Sequence, residues 1–117
     1  MLQSSQRLRS NRDFKRTYAR GRSFVNPLVV LYVLPVKSSE KLIGFSISKK
    51  LGGAVVRNRI KRRLREVCRA RMEELKPGFH AIIVGRSRLK EADFAAMEAA
   101  VDNLLRQAKL KREEQRD

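Results

Sequence analysis

The residues best suited to chemistry lie at 57–66, RNRIKRRLRE, where seven of ten side chains are charged and six of those are cationic. Like charges three or four residues apart destabilise a helix unless something neutralises them. A hydrated helix face normally interleaves acids with its bases, yet 57–65 contains no acid. Five of the six cations are arginine (Arg57, Arg59, Arg62, Arg63 and Arg65, joined by Lys61). The planar guanidinium fork suits bidentate contact with phosphate better than an ammonium does. The run also opens a helix, whose first backbone amides and dipole favour an anion. Asn58 sits among the arginines, able to hydrogen-bond a base edge, a ribose hydroxyl or a phosphate. A phosphate-binding helix is the better reading than a merely solvated one.

Other chemistries are poorly supplied. The one histidine, His80, follows Phe79 at the start of an apolar run, where a structural role is the simpler account. Cys68 falls in an apolar stripe and reads as a small hydrophobe rather than a nucleophile. There is no Cys/His metal spacing and no glycine-rich nucleotide loop. The acids cluster late in the chain, on helix surfaces where pairing with lysine explains them. A stand-alone nuclease, which needs carboxylates or histidines in a cleft, is disfavoured.

The aromatic residues bear on the kind of polyanion. Phe14 and Tyr18 stand at i,i+4 among Arg12, Lys15, Arg16 and Arg20, while Tyr32 and Phe45 lie on neighbouring strands. Each alone reads as core. Rings beside a basic groove, however, are the usual platform for unpaired bases. Single-stranded RNA is recognised by such stacking, whereas duplex DNA readers insert a helix into a groove and are usually dimeric.

The totals agree. A chain of 117 residues is one domain. Its 28 Lys+Arg exceed 12 Asp+Glu, for a net charge of +16, which a polyanion partner would compensate. Residues 1–65 hold 17 of the bases and two acids (Asp13 and Glu40), so the excess is confined to one half. A single cysteine permits no internal disulfide and suits a reducing compartment. No stretch has the length of a membrane span or the apolar core of a signal peptide, so a cytoplasmic protein without membrane contact is expected.

These side chains must be positioned by the elements around them. Ser10 or Asn11 caps a helix to about Arg20, stopped by Gly21. Arg22–Val25 is a brief strand. LVVLYVLP (28–35) reads as a strand buried on both faces or nearly so, with LIGFSIS (42–48) as its antiparallel partner and KKLGGA (49–54) as a loop. A long helix is expected from Ala54 to Leu75, with Val56, Ile60, Leu64, Val67, Cys68 and Leu75 as its core stripe. Lys61, Arg65 and Arg69, with Asn58 and Arg62, take its opposite side, and Arg71 lies at the stripe's edge. FHAIIVG (79–85) is another buried strand. A last helix spans about Glu91 to Arg112, with Phe94, Met97, Val101, Leu104 and Leu105 inward. The order α-β-β-β-α-β-α predicts an α+β sandwich of helices on a four-stranded sheet. Residues 1–9 and 113–117 are expected to be flexible.

The segment GFSISKKLGGAVVRNRIKRRLRE (44–66) resembles the protein subunit of bacterial ribonuclease P. Gly44, the SISKK segment ending at Lys49-Lys50, Ala54-Val55, Arg57-Asn58-Arg59 and Lys61-Arg62 form a spaced pattern more specific than any basic run. The likeness extends from RLRSNRDFKRTYARGRSF (7–24) through FHAIIVG. One departure is at Leu42: the family commonly has arginine two places before this glycine, and here Lys41 is shifted by one. The resemblance implies an RNA-based enzyme that cuts precursor tRNA to give the mature 5′ end, with Mg²⁺ held chiefly by the RNA subunit. It implies a mixed sheet with a left-handed crossover through the basic helix, and no obligate protein partner. It further implies that Phe14, Tyr18 and Tyr32 line a cleft for the precursor's 5′ leader, with Phe45, Ser46 and Ser48 from the adjacent strand. Lys49, Lys50, Arg57, Asn58, Arg59, Lys61, Arg62 and Arg65 would meet the RNA subunit and the precursor backbone, and no catalytic residue or metal ligand is expected on the protein. A ribosomal or RNA-chaperone protein would share charge and size without needing the 44–62 pattern.

Overall fold

Ser10 opens the first helix: its hydroxyl accepts from the Asp13 amide at 3.3 Å, satisfying a donor that a helix start leaves unpaired. The helix, α1, spans Asn11–Arg20 in a computed structural model that describes residues 4–112. Gly21 follows because a Cβ there would press on the Thr17 and Val33 carbonyls. The chain can then turn directly into the sheet.

Four strands follow: β1 (Arg22–Val25), β2 (Val29–Pro35), β3 (Lys41–Ser46) and β4 (Phe79–Gly85). Their spatial order is β1-β2-β4-β3. β2 pairs antiparallel with β1 and β4, and β3 pairs parallel with β4. Parallel neighbours need a long crossover, here supplied by helix α2 (Ala54–Arg69). Helix α3 (Phe94–Gln107) completes the expected α-β-β-β-α-β-α order on a four-stranded mixed sheet.

Alternation along the strands gives the sheet two unlike faces. Val29, Leu31, Val33, Ile43, Phe79, Ala81 and Ile83 meet Ile60, Leu64 and Val67 of α2 and Met97, Val101, Leu104 and Leu105 of α3 in the main core. The other face carries α1, with Gly44 directly beneath the Phe14 ring.

Several expectations need correction. β3 is not the antiparallel partner of β2. β4 lies between them, and its burial on nearly every residue marks the central position. β2 is buried on one face only; Val30, Tyr32 and Leu34 on the other are half-buried. α2 stops at Arg69 rather than Leu75, because Arg71 turns its guanidinium toward Glu98 and Asp102 of α3 and Met72–Glu74 tightens into a 3-10 turn. Leu75 is fully buried but lies beyond that turn. α3 is shorter at both ends than expected: Asp93 caps it, accepting from the Ala96 amide at 2.8 Å. Phe94, in its first turn, is 40% exposed rather than inward. Part of 49–54 is a 3-10 turn, Lys49–Leu51. Leu8, assigned to a flexible leader, is buried, and its amide donates to the Ile43 carbonyl at 3.1 Å. Residues 1–3 and 113–117 of the expected flexible ends lie outside the described residues.

Candidate nucleic-acid interface

Three of the aromatic residues singled out above are brought together. Phe14 and Tyr18 are one turn apart on α1, with ring centroids 6.4 Å apart. Tyr32 of β2 meets Tyr18 edge-on at 4.9 Å, the T-shaped geometry that aromatic quadrupoles favour. Tyr18 remains 40% exposed. Gly44 is required here: any side chain at that position would occupy the space of the Phe14 ring and lift α1 from the sheet. Ser46 shares the face of Gly44. Phe45 does not. Register pairs it with Ile83, so it points to the α2/α3 face and packs half-buried against the main core. Ser48 is exposed just before the 3-10 turn that carries the exposed Lys49 and Lys50.

On α2, one stripe (Ile60, Leu64, Val67 and Cys68) is buried, which leaves the rest of the helix circumference to cations. Asn58, Arg59, Arg62 and Arg63 are exposed; Arg57, Lys61 and Arg65 are half-buried. Arg57 is partly committed to structure, its Nε donating to the Gly52 carbonyl at 3.2 Å and so bracing the glycine loop. Arg65 is the electrostatic centre. Burial first, then the nearby charges of Arg7 and Arg62, hold its guanidinium below its ordinary pKa. Its Nε is buried and meets no acceptor among the described residues. Arg7 and Arg62 thus each raise the cost of charge on Arg65, and a phosphate bound beside Arg65 would relieve it.

Arg7 was not among the residues singled out from the sequence. It bridges to Ile43 beside β3, and the chain leads from there through Leu8 into α1. The cationic and aromatic surfaces therefore adjoin. The only hint in the sequence is the apolar Leu8 between two arginines. Lys41 donates to the Met72 carbonyl at 2.8 Å, so it serves the fold rather than replacing the arginine that the family pattern has near this glycine.

The groups capable of other chemistry, Cys68 and His80, are buried. Burial pushes the Cys68 thiol up to about 12, leaving no thiolate near neutrality. His80 is buried with Nε2 3.1 Å from Glu40 Oε1, a bond that, with the Ser38 hydroxyl, holds the Glu40 carboxyl below its ordinary value. Among the described residues no three His, Cys, Asp or Glu side chains are grouped to hold a metal, and no helix is long and apolar enough to cross a membrane.

Fold and site define a class: small α+β proteins whose crossover helix concentrates guanidinium groups beside partly exposed aromatic rings. The ribonuclease P family model matches residues 2–109, and the chain belongs to the ribonuclease P protein family. It is 41% identical over 109 residues to the ribonuclease P protein component of Herpetosiphon aurantiacus, covering 93% of this chain and 89% of that one. With that of Caldanaerobacter subterraneus subsp. tengcongensis it shares 34% over 116 residues, 99% of this chain and 100% of the relative. The RNase P protein of Staphylococcus aureus superposes with a TM-score of 0.86 at 31% identity, covering 93% of this chain and 100% of that structure. That of Thermotoga maritima gives 0.80 at 30% identity, covering 86% and 96%.

Proposed function

We propose that this chain is the protein subunit of a ribonuclease P holoenzyme, binding the RNA subunit and the 5′ leader of precursor tRNA. The holoenzyme's endonucleolytic cut releases the leader and leaves the mature tRNA 5′ end. The observation that carries this reading is the adjacency of two surfaces: the Arg7/Arg62/Arg65 cluster, in which the buried Arg65 Nε meets no acceptor among the described residues, and the Phe14–Tyr18–Tyr32 rings. Guanidinium groups neutralise phosphates and set register. Rings stack on unpaired bases without sequence preference, which suits a leader. In this reading the Mg²⁺ that the cut requires is held chiefly by the RNA subunit, and this chain contributes binding.

Reconstitution tests the reading. The protein mixed with a bacterial ribonuclease P RNA should restore precursor cleavage at low magnesium, and the protein alone should not cleave. Metal-dependent cutting at the tRNA junction by rigorously RNA-free protein would overturn it.

Two substitutions separate the surfaces. Tyr18→Ala should weaken binding of leader-bearing precursor by about 1–3 kcal/mol, the value of one stacked base, and leave mature tRNA little affected. Equal losses for both ligands would return the ring to a structural role. Arg62→Ala and Arg65→Ala should each weaken RNA binding. Each should also flatten the log–log salt dependence by about one phosphate, roughly 0.7–0.9 in slope. Unchanged affinity and slope in a folded variant would reduce the run at 57–65 to a solvated face.

A further inference from the structure

A second cationic feature lies away from these surfaces. At the free end of β1, a cavity of about 260 Å³ opens between the sheet and the end of α3. Its apolar wall includes Phe24, Val33 and Leu110, and its rim carries Arg22, Lys76 and Lys109. Val33 belongs to the main core, so the cavity opens on the opposite face of the sheet from Tyr32.

Two observations bear on what the cavity could hold. The first concerns charge. Arg71 and Lys111, near the end of α3, are matched with carboxylates, whereas Arg106 and Arg112 have no such match among the described residues. Arg22, Lys76 and Lys109 form no such pair among the described residues, and Arg22 instead lies over the Phe24 ring at 5.6 Å. The second concerns backbone. Lys109 has φ +58°, the one non-glycine residue at positive φ among those described. It closes α3 as its amide donates to Arg106 and that of Leu110 donates to Leu105, a C-terminal motif that ordinarily uses glycine. A lysine held there accepts backbone strain and gains a cation on the cavity rim.

We infer that this cavity holds one unstacked nucleotide of RNA, its base against the apolar wall and its phosphate on Arg22, Lys76 and Lys109. The volume lies below the roughly 300–1,000 Å³ of pockets for drug-sized ligands and suits a single flat ring system. An apolar slot rimmed by unpaired cations matches a ring that carries a phosphate, and a chain of net charge +16 meets nucleotides wherever it meets RNA. The inference rests on the proposed RNA partnership but uses none of its residues.

The test is an amide-resolved NMR titration with adenosine 5′-monophosphate, run beside adenosine, inorganic phosphate and an Asp-Phe dipeptide. The nucleotide should shift the Gly78, Lys109 and Leu110 amides. Adenosine and phosphate should need about tenfold higher concentration, since each supplies only stacking or only charge. Lys76→Ala and Lys109→Gly should each weaken the response while Tyr18→Ala leaves it intact. Lys109→Gly should also raise the melting temperature, because glycine relieves the positive φ. No shift, equal shifts with phosphate alone, or tighter binding of the dipeptide would overturn the inference. With the RNA subunit, the Lys76→Ala/Lys109→Gly double variant should bind several-fold more weakly and keep its preference for leader-bearing precursor. Undiminished binding by the double variant overturns the cavity alone. A wild-type protein that fails to bind the RNA subunit overturns the proposed function itself.

Discussion

Asp102→Ala should destabilise the protein by about 2–3 kcal/mol, the value of charge-assisted hydrogen bonds in a part-buried ion pair. The Arg71 guanidinium grips the Asp102 carboxylate at 2.5 and 2.9 Å and reaches Glu98 at 3.1 Å, while Lys111 Nζ approaches Asp102 at 2.8 Å. The Arg71 and Asp102 side chains are only 13% and 18% exposed. Truncation therefore leaves Arg71 with Glu98 and the Val67 carbonyl alone, and Lys111 without its carboxylate. The hydrogen bond from Arg71 above all, assisted by Lys111 and opposed by burial, lowers the Asp102 carboxyl to about 2. A carboxyl that is more acidic folded than unfolded stabilises the fold above its unfolded pKa. That contribution, about 2 kcal/mol here, is lost as pH falls from about 4 toward 2. Urea denaturation at neutral pH and near pH 2.5 measures both effects. The wild type should lose this component between the two, and Asp102→Ala should not. Because the pair ties the end of α2 to α3, the variant should also loosen the platform that carries the cationic face.

Leu64→Ala should cost about 2–5 kcal/mol, since Leu64 is fully buried where α2 meets the sheet. Its neighbours Arg62 and Arg63 are exposed, and truncating an exposed side chain normally shifts stability by no more than about 0.5 kcal/mol. Thermal melting and salt titration should thus sort the helix residue by residue. Leu64→Ala lowers the melting temperature and keeps the salt slope of its folded fraction; Arg62→Ala does the reverse. Were Leu64→Ala as mild as Arg62→Ala, the helix would not be seated as described.

What could be read from sequence was what neighbouring residues decide. Ser10 and Gly21 bound α1 because capping and close turning are local, and the four-residue spacing of Ile60 and Leu64 places the buried stripe of α2. What escaped was decided at a distance. The turn between β2 and β3 has the length of a hairpin, and nothing near it announces that a strand more than thirty residues later will separate the two. The family resemblance, not periodicity, carried the parallel pair. Arg71 reads as a lysine-like stem at the edge of a stripe until Glu98 and Asp102 are brought to it. Alternation says that Phe45 and Ser46 face opposite ways, but not which face α1 covers, so Phe45 was grouped with Tyr32. Arg7 escaped for the same reason: its neighbours along the chain do not include Arg65.

The insertion of β4 between β2 and β3 also governs how the chain is made. The central strand is the last of the four to leave the ribosome. Until it arrives, the inner edges of β2 and β3 both stand open, with apolar Leu31, Val33 and Ile43 uncovered, the condition that favours association between nascent chains. Before β4 follows, the segment 57–65 emerges with six cations and no acid. Mutual repulsion among like-charged nascent chains opposes their association, and a polyanion nearby would be engaged before the sheet is closed. The same arginines thus give the unfinished chain a solubility that its strands alone would deny it.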